Sequence, residues 1–294
     1  MDADATARDV GEFGLIARVI ARLDSSPPVL LGPGDDAAVV AAPDGRVVAT
    51  TDVLVEGVHF RRDWSTAYDV GRKAAAVNLA DVAAMGARGT ALLVGLAAPS
   101  DLPVEWGLQL TDGLRDEAAL VGAAVVGGDV VRSDVLVISV TALGDLEGRA
   151  PVTRSGARVG DVVVLAGELG RSAAGLALLQ DGSREGELVD AHRRPTPPYD
   201  MGPLLAQAGA TSMCDVSDGL VGDVAHIAQA SGVRIDLDAA DELFLTGGED
   251  HALVATLPPD AAIPAGCRVI GRVLAGEGVT VEGEPAVAGW DHFA

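Results

Sequence analysis

Aspartate recurs along this chain beside glycine, serine, threonine and asparagine, and those neighbours suit the binding of a phosphate through metal ions. Gly34-Asp35-Asp36 sets two adjacent carboxylates before a short apolar run, and its glycine lets backbone come close to a ligand. Thr50-Thr51-Asp52 offers two hydroxyls and a carboxylate, hard oxygen ligands suited to Mg2+. Asn78 and Asp81 stand three apart in an otherwise apolar stretch and share a helix face. An ionised Asp81 there requires a partner, and Arg72, Lys73 or a metal ion are the open alternatives. Gly127-Gly128-Asp129 follows an apolar run, where glycines can turn backbone N–H groups toward a phosphate. Asp215-Val216-Ser217-Asp218-Gly219 is the sharpest local feature. It is not a calcium loop, because the twelfth position, which an EF-hand fills with a carboxylate, is His226. Simple capping of the following helix by Ser217 or Asp218 stays open as its structural reading. Gly247-Gly248-Glu249-Asp250 again places two carboxylates at a glycine-rich turn, and His59 stands alone as either a ligand group or a structural hydrogen bonder.

Taken jointly, these segments favour a polyphosphate site organised by several Mg2+ ions. No Walker A sequence surrounds Lys73, the single lysine, and Gly167 and Gly170 lack dinucleotide-binding spacing. Metal ions and backbone must therefore supply most of the positive charge that a phosphate meets. The net charge of -22 disfavours a general nucleic-acid binder. Cys214 and Cys267 form no Cys/His cluster, which disfavours a zinc site or a disulfide framework. The N-terminal residues alternate in charge without an apolar core, and apolar runs such as Ala91 to Ala98 are too short to span a bilayer. A cytoplasmic protein with no membrane partner is expected.

The elements that must position these groups are readable from periodicity. A chain of 294 residues, 49% hydrophobic and only 3% aromatic, suits two domains with aliphatic cores. Phe13, Ile16, Val19, Ile20 and Leu23 predict a first helix, stopped by Pro27-Pro28. Val39-Val40 and Val47-Val48-Ala49 around Asp44-Gly45 predict a hairpin whose second strand ends at Thr50-Thr51-Asp52. Helices are predicted over 70–86, 104–122 and 219–230, and a turn leading into a helix over 167–179. Strands are predicted at 92–96, 125–126, 135–140, 162–165, 234–237 and 251–256, with a turn at 127–129 and a long loop over 181–200. The Gly-, Arg- and Pro-rich stretch 141–159 places a domain boundary near residue 148, giving domains 1–148 and 149–294. Alternating helices and strands in both halves predict an α+β fold of α/β layers.

In this order the motifs resemble the thiamine-monophosphate kinase family, within the ATP-binding superfamily of aminoimidazole ribonucleotide synthetase and selenophosphate synthetase. The resemblance runs from Gly11-Glu12-Phe13 through Gly34-Asp35-Asp36, Thr51-Asp52 with His59, Asn78-Leu79-Ala80-Asp81 and Ala84-Met85-Gly86. It continues through Gly127-Gly128-Asp129, Thr153-Arg154-Ser155-Gly156, Asp215 to Leu220 and Gly247 to Asp250, to Trp290-Asp291-His292-Phe293. It implies a two-domain fold, with an N-terminal domain that forms a homodimer and binds ATP and Mg2+, and a C-terminal α/β domain. It implies ATP-dependent phosphorylation of thiamine monophosphate to thiamine diphosphate. By position, it implies that Asp36, Thr50, Thr51, Asp52, Asp81, Asp129, Asp215 and Asp218 hold magnesium ions. Gly128, Asp129, Arg154 and Ser217 would contact ATP, and His59, Glu249 and Trp290 the thiamine phosphate. No catalytic base is implied, because a phosphate monoester acceptor is already largely ionised above its second ionisation near ~6. Trp290 stacked on a cationic thiazolium would contribute roughly 0.5–2 kcal/mol. Two positions depart from the family pattern: His251-Ala252 follows Gly-Gly-Glu-Asp where Tyr-Glu is usual, and Val130 follows Gly-Gly-Asp where Thr is usual. The rivals are a sister enzyme acting on another substrate and a non-catalytic nucleotide-binding regulator. A selenophosphate synthetase would carry a reactive cysteine near its N-terminus, and a hydrogenase-maturation relative would end in a cysteine-bearing tail; neither is expected of this sequence.

Overall fold

The computed structural model describes residues 5–24, 26–32 and 38–286. The chain divides into two compact units, Met1–Val82 with Arg88–Gly148 and Ala83–Ala87 with Arg149–Ala294. Among the described residues, no helix is long and apolar enough to cross a membrane.

In chain order the first half supplies α1 (Ala7–Ile20), β1 (Val29–Leu31), β2 (Val39–Val40), β3 (Val48–Val55), α2 (Ala67–Ala84), β4 (Arg88–Ala98), α3 (Val104–Ala119), β5 (Ala124–Arg132) and β6 (Val137–Asp145). Four strands form one sheet in the order β3-β6-β4-β5, antiparallel except for the parallel pair β4 and β5. A parallel pair needs a crossover, and α3 provides it. Burial alternates along β6, where Ile138, Val140 and Ala142 point into the core. Helix α2 is buried almost all round, from Ala74 to Val82, and its small side chains allow α3 to come very close. A Cβ at Gly71 would lie 2.1 Å from Leu110 O, and one at Gly113 would lie 2.2 Å from Tyr68 O. Arg72 ion-pairs with the buried Glu117 across the same crossing.

Two expectations are corrected here. The segments around Asp44-Gly45 do not form a hairpin: β2 pairs with β1, whereas β3 pairs with β6. The turn is real, with Gly45 N–H donating to Ala42 O at 3.0 Å, but β3 finds a longer apolar partner elsewhere. Gly127-Gly128-Asp129 is not a turn between strands but the middle of β5. A bulge opposite Leu92 and Leu93 breaks the periodicity there, and glycine replaces the side chains that would mark a strand.

The second unit contains β7 (Val162–Ala166), α4 (Arg171–Gln180), α5 (Glu187–Arg193), α6 (Met201–Gln207), β8 (Ser212–Val216), α7 (Leu220–Ser231), β9 (Arg234–Leu237), α8 (Glu242–Thr246), β10 (Ala252–Leu257), β11 (Cys267–Leu274), β12 (Gly278–Val281) and β13 (Glu284–Pro285). Its sheet runs β13-β12-β9-β11-β7-β10-β8, with only β12 and β9 parallel. Both faces of the central strands are covered. Val163, Leu165, Cys214, Val216 and Val254 face one core with Val224 and Ile227 of α7. Val164, Ala166, Met213, Leu253 and Ala255 face the other with Leu205 of α6. That two-sided burial explains why β7 and β10 read as continuous apolar runs. The loop expected over 181–200 contains α5, whose one fully buried apolar anchor, Val189, is too little to give a periodic signal.

Candidate active site

In the first unit, β3 and α2 bring oxygen ligands together. Thr50, Asp52 and Leu54 alternate onto the partly or fully buried face of β3, while Thr51 and Val53 are exposed on the other. Thr50 donates its hydroxyl to Asp81 Oδ2 at 2.6 Å, and Asn78 Oδ1 accepts the Asp52 N–H at 2.9 Å. Asn78 is buried and gives its own amide to Ala74 O, so it ties the helix to the strand. The shared helix face of Asn78 and Asp81 is therefore aimed at Thr50 and Asp52. Arg72 turns to Glu117, and Lys73 donates to the carbonyl of His59 at 3.0 Å.

The other residues singled out in this unit stand differently. Thr51 donates to Val140 O at 2.9 Å and meets Thr141 across the strand pair, away from Thr50 and Asp52. It lies mid-strand, so successive side chains must take opposite faces. His59 Nδ1 accepts the Val55 N–H at 3.1 Å, a structural bond that shapes the turn leaving β3. Gly128 is explained locally by packing, because a Cβ there would lie 1.9 Å from Val94 O. Asp129 follows it on the edge strand β5, exposed. Asp36 lies outside the described residues, as does Trp290.

In the second unit, the antiparallel pair Ala252–Val216 sets the exit from β8 beside the entry to β10. Asp215, Ser217 and Asp218 therefore lie next to the Gly247–His251 loop. Glu249 N–H donates to Ser217 O at 2.7 Å, and His251 N–H to Val216 O at 3.0 Å. Gly248 allows this contact, since a Cβ there would meet Ser217 O at 2.5 Å. Glu249 and His251 both adopt left-handed backbone, at φ 64° and 55°. Such conformations cost of order 1 kcal/mol each in a non-glycine residue and cluster at functional sites. Glu249 Oε2 lies 3.6 Å from His192 Nδ1, which in turn is 3.0 Å from Ser172 Oγ. Arg154 is exposed, on a loop fixed by Ser231, whose hydroxyl donates to Arg154 O and accepts from Gly156 and Ala157 N–H groups.

Three groups central to this half were not singled out as ligands, or were misread. Neither Ser217 nor Asp218 caps α7; instead Asp223 reaches back, its Oδ2 accepting the N–H groups of Ser217 and Asp218, each at 3.0 Å. Burial pushes the Asp223 carboxyl up to about 7, the Asp215 charge adds to this, and the two N–H bonds oppose it. Asp250 accepts from Gly170 and Ser172 N–H groups at 2.6 and 2.7 Å, so it anchors the start of α4. Burial raises its carboxyl as well. His251 Nδ1 lies 3.0 Å from Asp215 Oδ2, with both residues buried. The only sequence signal for Asp223 was a charge in the apolar run Leu220-Val221-Gly222-Asp223-Val224.

Among the described residues, no three His, Cys, Asp or Glu side chains converge as a metal cage. The donors are nevertheless all oxygen, and Mg2+ is ordinarily held by one or two carboxylates, water and substrate phosphates. The donor set therefore fits a magnesium ion carried by a nucleotide phosphate.

Residues 34–146 match the family model for the N-terminal domain of AIR synthase related proteins, and 158–284 match that for the C-terminal domain. A thiamine-monophosphate kinase of Mycobacterium tuberculosis is 51% identical, over 98% of this chain and 93% of that protein. The crystal structure of thiamine-monophosphate kinase from Stenotrophomonas maltophilia superposes with a TM-score of 0.80 at 34% identity, covering 92% of this chain and 96% of that one. A structure of AaThiL complexed with AMPPCP and TMP also gives 0.80, at 36% identity, over 97% of this chain and 98% of that one. Motif order, α+β architecture and near end-to-end identity agree, and the chain belongs to the thiamine-monophosphate kinase family of AIR synthase related enzymes.

Proposed function

We propose that this enzyme transfers the γ-phosphoryl group of ATP to the phosphate of thiamine monophosphate, giving thiamine diphosphate and ADP. The observation that carries this is the 51% identity to a thiamine-monophosphate kinase over 98% of the chain. The relative AaThiL bound to AMPPCP, an ATP analogue, and TMP supports both substrates. In the reaction, an oxygen of the acceptor phosphate bonds to the γ-phosphorus as the bond to the β-bridging oxygen breaks. The acceptor is already ionised, so no residue is needed as a base. The task is to hold two anions in line.

Thr50, Asp52 and Asp81 are assigned to magnesium in the first unit, with Asp36, Thr51 and Asp129, and Asp215 and Asp218 in the second. The Thr51 and Asp129 side chains share the sheet face opposite Thr50 and Asp52, so they would serve magnesium from that side. When bound, Mg2+ neutralises the facing phosphate charges. Thr50, by donating to Asp81, fixes the direction of that carboxylate, and Asn78 fixes the strand that carries Asp52. Gly128 is assigned to the nucleotide through its backbone, with Arg154 and Ser217. His59, Glu249 and Trp290 are assigned to the thiamine phosphate, with Glu249 suited by charge to a cationic ring. The domains are assigned as 1–148 and 149–294.

The exposed sheet face carrying Val53, Leu93 and Val131, each 37–50% exposed, is assigned as the surface that a second copy covers. A cytoplasmic location, where ATP is available and Cys214 and Cys267 stay reduced, completes the reading. The test is direct: incubate the purified protein with ATP, thiamine monophosphate and Mg2+ and assay thiamine diphosphate. Failure to form it at any Mg2+ concentration refutes the proposal.

A further inference from the structure

Asp215 and Asp218 can serve a nucleotide only if their carboxylates are held in place, and two buried residues do the holding. Asp215 sits at the end of β8, and His251 Nδ1 meets its Oδ2 at 3.0 Å. The His251 ring is itself placed by two backbone constraints, the left-handed φ of 55° and the N–H bond to Val216 O. Asp250, next in sequence, is pinned to the start of α4. Asp223 comes from another element, α7, and is 3% exposed. One oxygen of Asp223 takes the N–H groups of both Ser217 and Asp218, which fixes the peptide planes that set the Asp218 side chain's direction. A third carboxylate this close to Asp215 and Asp218 adds electrostatic repulsion, and an apolar residue would avoid it. What an apolar residue cannot do is accept two N–H groups inside the fold.

We propose that His251 and Asp223 are positioning residues of the reaction. His251 sets the orientation of the Asp215 carboxylate, and Asp223 sets the backbone that presents Ser217 and Asp218 to the magnesium nucleotide. The inference rests on the function proposed above. It assigns His251 a task at one of the two positions where this chain departs from the family pattern.

The test uses two pairs of full-length variants. His251→Phe keeps the ring and removes Nδ1, whereas His251→Asn restores a side-chain nitrogen and suits left-handed backbone. Asp223→Ala removes the acceptor, whereas Asp223→Asn keeps an oxygen for the two N–H groups. Calorimetric titration with Mg2+ and a non-hydrolysable ATP analogue is read beside kcat and KM for ATP, with melting temperatures as a fold control. His251→Phe and Asp223→Ala are expected to weaken magnesium-nucleotide binding by about 10-fold or more and raise KM for ATP, as for groups that orient metal ligands. Each Asn variant is expected to recover most of the loss. Binding within about twofold of wild type in His251→Phe and Asp223→Ala overturns the proposal, as does a loss that merely tracks melting temperature and is not rescued by Asn. If Asp223→Ala does not fold, the His251 pair decides. If wild type binds the analogue but never phosphorylates thiamine monophosphate, the assigned reaction fails, and the binding data still judge these two residues.

Discussion

Gly113→Ala tests whether the packing of α3 on α2 sets the geometry of the site. In an isolated helix the change should stabilise by ~1 kcal/mol, since alanine is the better helix former. Here the new Cβ would stand 2.2 Å from Tyr68 O and 2.9 Å from Arg72 N. A carbon needs roughly 3.3 Å from a carbonyl oxygen, so the helices must part by about 1 Å. Overpacking of that kind costs about 1–3 kcal/mol, and here the obstacle is backbone, which cannot rotate away. A rigid backbone obstacle takes the upper part of that range, about 2–3 kcal/mol, and subtracting the ~1 kcal/mol of helix propensity leaves a net loss of about 1–2 kcal/mol. Gly107→Ala on the same helix is the control, because its Cβ would meet only Leu15 Cδ1 at 3.6 Å, an ordinary contact. That variant should be neutral or slightly stabilised. Urea unfolding followed by circular dichroism measures both. Parting the helices also moves Asn78 and Asp81, which ride on α2, relative to β3, so Gly113→Ala should raise KM for ATP and Gly107→Ala should not. If Gly113→Ala proves as stable as Gly107→Ala, the close approach of the two helices is wrong, and so is the rigid mounting of Asp81 derived from it.

Asp81→Asn keeps an oxygen for the Thr50 hydroxyl but removes the charge, so kcat should fall by about 100-fold or more, ~2.7 kcal/mol in the barrier, with the fold intact by circular dichroism. Wild-type turnover in Asp81→Asn would reduce Asp81 to a structural role. Val53→Glu places a charge on the apolar sheet face without touching Thr50 or Asp52, and sedimentation velocity should show a shift from dimer to monomer. An unchanged dimer removes that face from the assembly. Asp236 is held below the usual carboxylate range chiefly by the Thr280 hydroxyl, then by the Gly283 N–H and Arg272. A lowered folded pKa contributes stability above the unfolded value and loses it as pH falls through the folded one. Asp236→Asn should therefore cost ~1 kcal/mol near pH 7, by urea titration, and converge on wild type only below the ordinary carboxylate value of 3.8. A penalty that is constant down to acid pH would contradict this.

The parts of the site that the sequence exposes are those in which chemistry and local pattern coincide. Asn78 and Asp81 were legible because α2 has helical period and both polar residues interrupt an apolar face. Thr50 and Thr51 were not separable, because taking Asp52 as the end of a short hairpin strand concealed that all three lie inside an eight-residue strand. Once β3 is seen whole, its twofold alternation divides Thr50 from Thr51 without further information. Gly127-Gly128-Asp129 misled for the opposite reason: glycine reads as a turn, yet at Gly128 it is demanded by Val94 O crossing beneath it. The roles of Asp223, Asp250 and His251 lay beyond sequence reasoning even where the residues stood out, because their partners are set by the pairing of β8 with β10 and by the packing of α4 and α7, not by neighbours in the chain.

That difference sorts the carboxylates of this enzyme into two kinds that composition treats as one. Glu249 and Asp250 are adjacent and both anionic by type, yet Asp250 accepts two backbone N–H groups of α4 while Glu249 lies toward His192. A carboxylate that holds a loop needs an oxygen in the right place; one that holds magnesium needs the charge as well. Substitution by asparagine removes the charge and keeps the first property where a single oxygen does the holding. Asparagine at Asp52, Asp81, Asp215 and Asp218 should therefore damage turnover most, whereas at Asp223, where one oxygen takes both N–H groups, it should be tolerated and only alanine should be severe; at Asp250, where each oxygen takes one N–H, asparagine loses one of the two bonds and should fall between. The same comparison across the chain separates ligand from scaffold residue by residue, a division that motif recognition alone cannot make because both kinds occur inside the same motifs.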